Sequence, residues 1–401
     1  MTVALLVRKS LRQHWVSTVV SVIAIALAGG LLMAVWVIKE ESNRTFTSVT
    51  GGFDAVLGPR SSKLQLVLNS LFHLDESPGT ISAADAAAIQ KNPSVAVAVP
   101  IAVGDNYQGY RLVGTTLDMF TLVEHAPGEK FSVLAPGRVF AAGADEAVVG
   151  SFVADQLGLK VGDSFHPFHG LMFNEDQEHS ETYTVSGILA PTNTPADRVI
   201  WIPLEGLQGM SGHGTKTATD VSAVLVKLKD PASGFQMDML YNKRGNKLTF
   251  AWPIGAILAK LFDRVAWADR VLGFICYLVV VIGTASILTS LYNSMNERRR
   301  EIAILRALGA GRLTVSGAVV LEAATIAAIG MLLAFLIYAL IASLAIGIIR
   351  AQTGVVIDPF RFNWIMVSAP LGVMAIAAVL GLLPAAKAYR TDVAYGLSPT
   401  S

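Results

Sequence analysis

Three histidines and three carboxylates fall within the stretch His166–His179, which reads HPFHGLMFNEDQEH. His166, His169 and His179 offer imidazole nitrogens, while Glu175, Asp176 and Glu178 offer carboxylate oxygens, the donor types that a borderline ion such as zinc takes. Their spacing matches no standard metal motif, and a polar loop with scattered histidines is the commoner case. A second concentration of chemistry is NERRREIAILRALGAGR, Asn296–Arg312, where arginines alternate with Ile302, Ile304, Leu305 and Leu308. A third is Glu322, an acid inside an otherwise apolar run. A carboxylate in that setting suits either a proton relay or a structural role, hydrogen-bonded within a helix bundle or placed near the inner interface. Two absences narrow the chemistry. The sequence has no G-x-x-x-x-G-K-[ST] loop to cradle nucleotide phosphates and no nucleophile elbow. Neither ATP hydrolysis nor an external hydrolase activity is expected of this chain, and no catalytic residue is assigned.

Composition says what must hold these groups. Of 401 residues, 53% are hydrophobic and 15% charged, against ~25% charged in an ordinary soluble domain. The deficit is local. Trp15–Ile38, Val271–Tyr292, Leu313–Ile349 and Trp364–Ala386 are each long and apolar enough to cross a bilayer, which takes ~20 helical residues. The third run would form a helix of roughly 55 Å against a hydrocarbon core of roughly 30 Å. It is either one long projecting helix or a hairpin turning near Gly330. With one glycine and no proline in AAIGMLLAF, the long helix is favoured.

Charge orients the spans. Arg8, Lys9, Arg12, Arg298, Arg299, Arg300, Arg306, Arg312, Lys387 and Arg390 flank them on one side, with only Glu297, Glu301 and Asp392 as acids there. The segment between the first two spans, residues 39–270, holds 19 basic and 25 acidic residues. The positive-inside rule therefore places both termini and the arginine stretch in the cytoplasm, with residues 39–270 exported. Ala26-Leu27-Ala28 resembles a signal-peptide cleavage site, but the apolar run continues to Ile38, longer than an h-region, so retention as an anchor is favoured. Cys276 is the single cysteine and lies in the second span, so no intramolecular disulfide braces the exported segment.

The expected organisation is a cytoplasmic segment 1–14, spans 15–38, 271–292, 313–349 and 364–386, an exported domain 39–270, a cytoplasmic segment 293–312, an external loop 350–363 and a tail 387–401. The exported domain reads as α+β. Ser82 and Asp85 stand at capping-box spacing before an alanine-rich helix that ends ahead of Pro93. YQGYRLVGT, ETYTVSGIL, RVIWIPL and SAVLVKLK read as strands, and a short helix is expected over Ser151–Leu157. WPIGAILAKLFDRVAWADRVLG has helical apolar spacing and leads directly into the second span, so a continuous helix would tie the exported domain to the membrane.

This plan, with ERRREIAILRALGA after the second span, VVLEAATIAAIGMLLAFLIYALI in the third and GLLPAAKAYRTDVAYGL at the end, resembles the MacB/FtsX family of ABC-transporter permeases. EAVVGSFVADQLGLKVGD and YTVSGIL resemble the family's periplasmic core. On a helix, Ile302, Leu305 and Leu308 share one face, and Gly309–Gly311 can turn the chain into the third span. The arginines by themselves could serve topology and lipid binding alone. The resemblance implies instead a coupling element, Glu297, Arg298, Arg299, Arg300, Glu301, Leu305, Arg306, Leu308 and Gly309, that meets a separate cytoplasmic ATPase. It further implies a second permease copy or paralogue, lipid contact, ATP used only through the partner, and export or release of a lipoprotein, peptide or drug-like cargo. The alternatives are signalling to an envelope enzyme, as in the FtsX branch, and metal handling through the histidine loop. Nucleic acid is not among the expected partners.

Overall fold

The computed structural model describes residues 3–171, 173–210, 219–297, 303–304 and 310–390. The chain forms two compact units. One comprises Met1–Glu41, Val265–Ile346 and Asp358–Ser401, and the other Ser42–Arg264 with Gly347–Ile357.

The first unit is built on four long helices, Trp15–Ser48, Ile254–Glu297, Arg312–Thr353 and Ile365–Arg390. Each carries a stretch apolar and long enough to cross a membrane. The third is one unbroken helix of 42 residues, roughly 63 Å at 1.5 Å per residue. Gly330 does not turn it. Instead, an added Cβ there would lie 2.7 Å from Ile25 Cγ2 and 3.2 Å from the Val22 carbonyl oxygen. Gly29 and Gly30 answer from the first helix, where a Cβ would meet Met331 and Ile337 at 2.6 and 2.7 Å. Water is absent between apolar helices in lipid, so association rests on such close backbone approach rather than on a hydrophobic drive. Leu332, Leu336, Leu340 and Leu344 lie at four-residue spacing on the third helix and are all exposed, a stripe suited to acyl chains. The charged flank ahead of the first span is itself a helix, Val3–Gln13, with Val7 and Ser10 buried.

The second unit is an α+β domain. Its strands are β1 (Ala55–Pro59), β2 (Val95–Tyr107), β3 (Tyr110–Thr115), β4 (Glu124–Ala126), β5 (Glu129–Lys130), β6 (Glu146–Val149), β7 (Ser164–Phe165), β8 (Phe168–His169), β9 (Tyr183–Ile188), β10 (Ile200–Pro203), β11 (Ala223–Leu228) and β12 (Leu248–Ala251). A ten-stranded mixed sheet runs β12-β1-β11-β2-β3-β10-β6-β9-β7, with β8 also paired to β2, while β4 and β5 form a separate ribbon. The strands alternate between two buried faces. In β11, Val224 and Val226 join a core with Leu57, Leu112 and Phe250, whereas Ala223 and Leu225 join another with Val56, Val113 and Trp201. Burial on both faces explains why these strands read as nearly continuous apolar runs.

Local sequence signals are visible in the result. Ser82 caps the helix Ala83–Gln90, accepting from the Asp85 N–H at 3.2 Å and donating to its carboxylate at 2.6 Å. The helix Ser151–Leu157 ends at Gly158, whose φ of +67° is a left-handed cap. One expected element is corrected. YQGYRLVGT is not a single strand, because Gln108 and Gly109 adopt φ of +48° and +83° and make the tight turn between β2 and β3.

Three of the long helices end inside this second unit, which takes in residues 42–48, 254–264 and 347–353. Phe46 packs between Phe72 and Phe262, at 5.8 and 6.1 Å between ring centres. Ile254 and Leu258 are buried in the core beside Trp201. At the end of the third helix, Arg198 Nε donates to the Ala351 carbonyl at 2.7 Å, satisfying an oxygen that the helix itself leaves unpaired. Arg350 lies 5.4 Å over the Phe152 ring, and Gly354, at φ +74°, turns the chain away.

Candidate functional site

The histidine loop is held against the end of β2. Along β2, Ile101 and Val103 face the core that contains Trp201. The β2–β3 register shifts between Val103, opposite Val113, and Asp105, opposite Leu112. Gly104 is the extra residue of this bulge. A bulge changes which face the following side chains take, so Asp105 comes to the face of Leu112 rather than that of Val103. The same residue pairs with His169 of β8, and Asn106 pairs with Phe168.

Asn106 is buried and fixes the loop on both sides. Its Nδ2 donates to the Gly170 carbonyl at 2.9 Å, and its Oδ1 accepts from the Gly109 N–H at 3.0 Å. Gly170, at φ +86°, makes the turn after β8. The His179 N–H then donates to the Pro167 carbonyl at 2.8 Å, which returns the loop to its start. Tyr107 packs on Phe165 at 4.7 Å and stacks on Phe168 at 6.5 Å.

The outcome is a cluster of three side chains. Asp105 is fully buried, His179 is buried and His169 is half exposed. His169 Nδ1 and His179 Nε2 converge on the same Asp105 oxygen, at 3.2 and 3.3 Å. The two rings stand 5.5 Å apart and nearly perpendicular. Among the described residues, Asp105, His169 and His179 form the group whose donor atoms lie close enough to share one metal ion. Burying a carboxylate is costly unless it is paired, and here two imidazoles serve that purpose. Burial pushes the neighbouring Tyr183 phenol up, with Asp145, Glu181 and Asp105 acting in the same direction, so it stays a neutral hydroxyl.

This geometry differs from the sequence expectation in two respects. His166 is exposed and lies 3.5 Å from Thr182 Oγ1 rather than with His169 and His179. Glu175, Asp176 and Glu178 are exposed on and beside a short 3-10 turn and stand outside the cluster. The acid that joins the histidines is Asp105, far upstream in sequence. Its local signal was GD at the end of a long apolar strand, a carboxylate where the alternation called for a core residue.

Glu322, in the third long helix, is buried and accepts a hydrogen bond from the Ser10 hydroxyl of the helix Val3–Gln13. Of the arginine segment, Glu297 is the last residue of the second long helix. Arg298, Arg299, Arg300, Glu301, Leu305, Arg306, Leu308 and Gly309 lie outside the described residues.

A family model for the FtsX-like permease C-terminal region matches residues 273–393, and one for the MacB-like periplasmic core domain matches residues 18–237. Among solved structures, the extracellular domain of the noncanonic ABC-type transporter YknZ from Gram-positive bacteria is similar at 16% identity and a TM-score of 0.30, over 49% of this chain and 98% of that one. The periplasmic region of MacB from Actinobacillus actinomycetemcomitans is similar at 10% identity and a TM-score of 0.35, over 54% of this chain and 94% of that one. The comparison with curated protein sequences gives no match.

Proposed function

We propose, from the premise that the chain belongs to the MacB/FtsX-like family of ABC-transporter permeases, that it converts ATP-driven movement at the cytoplasmic face into movement of its external domain. Permeases of this family work with a cytoplasmic ATPase. The observation that carries the reading is helix continuity. Residues 42–48, 254–264 and 347–353 belong to the external unit, yet each is the end of a helix that also forms a membrane span. A helix transmits displacement along its axis because every backbone hydrogen bond resists stretching, whereas a flexible loop would absorb it.

In this reading the ATPase docks on the arginine segment Glu297–Arg312, both termini are cytoplasmic, and two permease subunits, identical or paralogous, complete the complex. Closing the cytoplasmic ends of the spans shifts the external domain by lever action, without a channel through the bilayer. The work delivered is export or release of a hydrophobic or periplasmic cargo such as a lipoprotein, peptide or drug-like molecule. Glu322 serves packing of the Val3–Gln13 helix rather than proton transfer, in keeping with its bond to Ser10.

The docking part is tested with Leu305→Asp and Gly309→Pro. Burying an unpaired carboxylate in the docked face costs several kcal/mol, so Leu305→Asp should abolish co-purification with the cognate ATPase. Gly309→Pro should leave the ATPase bound but lower its permease-dependent turnover. Normal assembly and turnover of both membrane-inserted variants would remove the coupling role from Glu297–Arg312.

A further inference from the structure

We propose that Asp105, His169 and His179 form a zinc-binding site on the external domain. The inference goes beyond the permease reading and does not depend on it.

Four features point to a metal rather than to hydrogen bonding alone. The first is the donor set, two imidazole nitrogens and one carboxylate oxygen, which is suited to zinc. The second is distance. Zinc bonds of ~2.0–2.1 Å in a tetrahedron put neighbouring ligand atoms ~3.3 Å apart, and the Asp105 oxygen lies 3.2 Å from His169 Nδ1 and 3.3 Å from His179 Nε2. Charge-assisted N–H···O bonds prefer a closer approach, about 2.7–2.9 Å.

The third feature is construction. The Gly104 bulge turns Asp105 to this face, β8 pairing brings His169 opposite it, and the Pro167–His179 backbone bond delivers His179 from the far end of the loop. One bulge, one strand pairing and one loop closure thus converge on one carboxylate oxygen. The fourth is access. Asp105 and His179 are buried while His169 is 47% exposed, so ligands are fixed on the inner side and an ion can enter from the outer.

Among the described residues these three donors leave a fourth tetrahedral position, which water or a donor group from an incoming molecule would fill. An ion there also clasps the loop 166–182 to the β2–β3 hairpin, because one ligand comes from the strand and two from the loop.

The test uses the full-length protein in detergent, stripped with chelator and titrated with zinc chloride by isothermal titration calorimetry. Cobalt(II) absorbance gives an independent readout of coordination geometry. One zinc per chain is expected, with an intense tetrahedral-type cobalt spectrum. His169→Ala removes a half-exposed ligand with little risk to folding and should weaken zinc binding at least tenfold, the scale on which even outer-shell partners act. Asp105→Asn should do the same, and circular dichroism shows whether it has folded. His166→Ala should bind like the wild type. Absence of saturable binding at one ion per chain, or affinity unaltered by His169→Ala, overturns the proposal. Equal loss in His166→Ala and His169→Ala overturns the assignment of these three ligands.

Discussion

Glycine-to-alanine substitutions on the third long helix should have opposite signs at two positions. Gly317 and Gly330 both lie within the helix Arg312–Thr353. A Cβ on Gly317 meets nothing within 4 Å, so alanine there gains only helix propensity, up to ~1 kcal/mol. A Cβ on Gly330 would sit 2.7 and 2.8 Å from Cγ2 and Cβ of Ile25, which is 1% exposed and cannot swing aside. Overpacking of this kind costs ~1–3 kcal/mol, which exceeds the propensity gain. The two variants should therefore differ by ~1–3 kcal/mol, about five-fold to more than a hundred-fold in the folded-to-unfolded ratio. Thermal unfolding of the purified protein in detergent provides the assay, with Gly330→Leu as the harsher case. Gly317→Ala should hold or raise the midpoint and Gly330→Ala should lower it. Equal shifts in the same direction would refute the close crossing of the first and third helices.

His73 supplies a pH prediction. It is buried at φ +55° in the external domain, and burial, with Arg111 and Arg198 adding to it, lowers its imidazole from 6.5 to about 3. The folded state thus resists a proton that the unfolded state accepts, so stability falls as pH drops below 6.5, by up to ~1.4 kcal/mol per pH unit until about 3. His73→Asn, which tolerates positive φ, should flatten this slope in chemical denaturation series between pH 7 and 5, and an unchanged slope would contradict the assignment. Topology is checked in intact cells carrying Cys276→Ala. Single cysteines replacing Thr2 and Ser398 should be shielded from impermeant thiol reagents while one replacing Ser211 is labelled, and labelling at Ser398 would invert or break the four-span arrangement.

What the sequence disclosed was mainly local. Apolar runs marked the spans because lipid demands their length, and Ser82 and Asp85 announced a helix start. Asp105 was hidden because its alignment with His169 depends on strand pairing, which brings together residues distant in the chain. It also depends on a bulge that reverses the side-chain alternation on which strand reading relies. Sequence proximity favoured Glu175, Asp176 and Glu178, whose side chains the turn leaves exposed. Gly330 was visible but its meaning was not. The lack of a proline or a second glycine already favoured a continuous helix there, and what the glycine is for shows only in Ile25 packed opposite it. The strand β2 was not among the expected strands, and it passes through Pro100, a residue that ordinarily interrupts a strand.

The lever itself is tested by breaking one. Proline at Val265 interrupts the helix Ile254–Glu297 where the external unit gives way to the spans, at a cost of ~3 kcal/mol to the helix. The measurement is ATP-dependent hydrogen exchange across Ser42–Arg264 in the reconstituted complex with its ATPase, alongside ATP turnover. Wild-type protein should show a nucleotide-dependent change in the external domain. Val265→Pro should keep turnover while losing most of that change. An external domain indifferent to nucleotide in the wild type, or equally responsive in the proline variant, would contradict transmission through these helices.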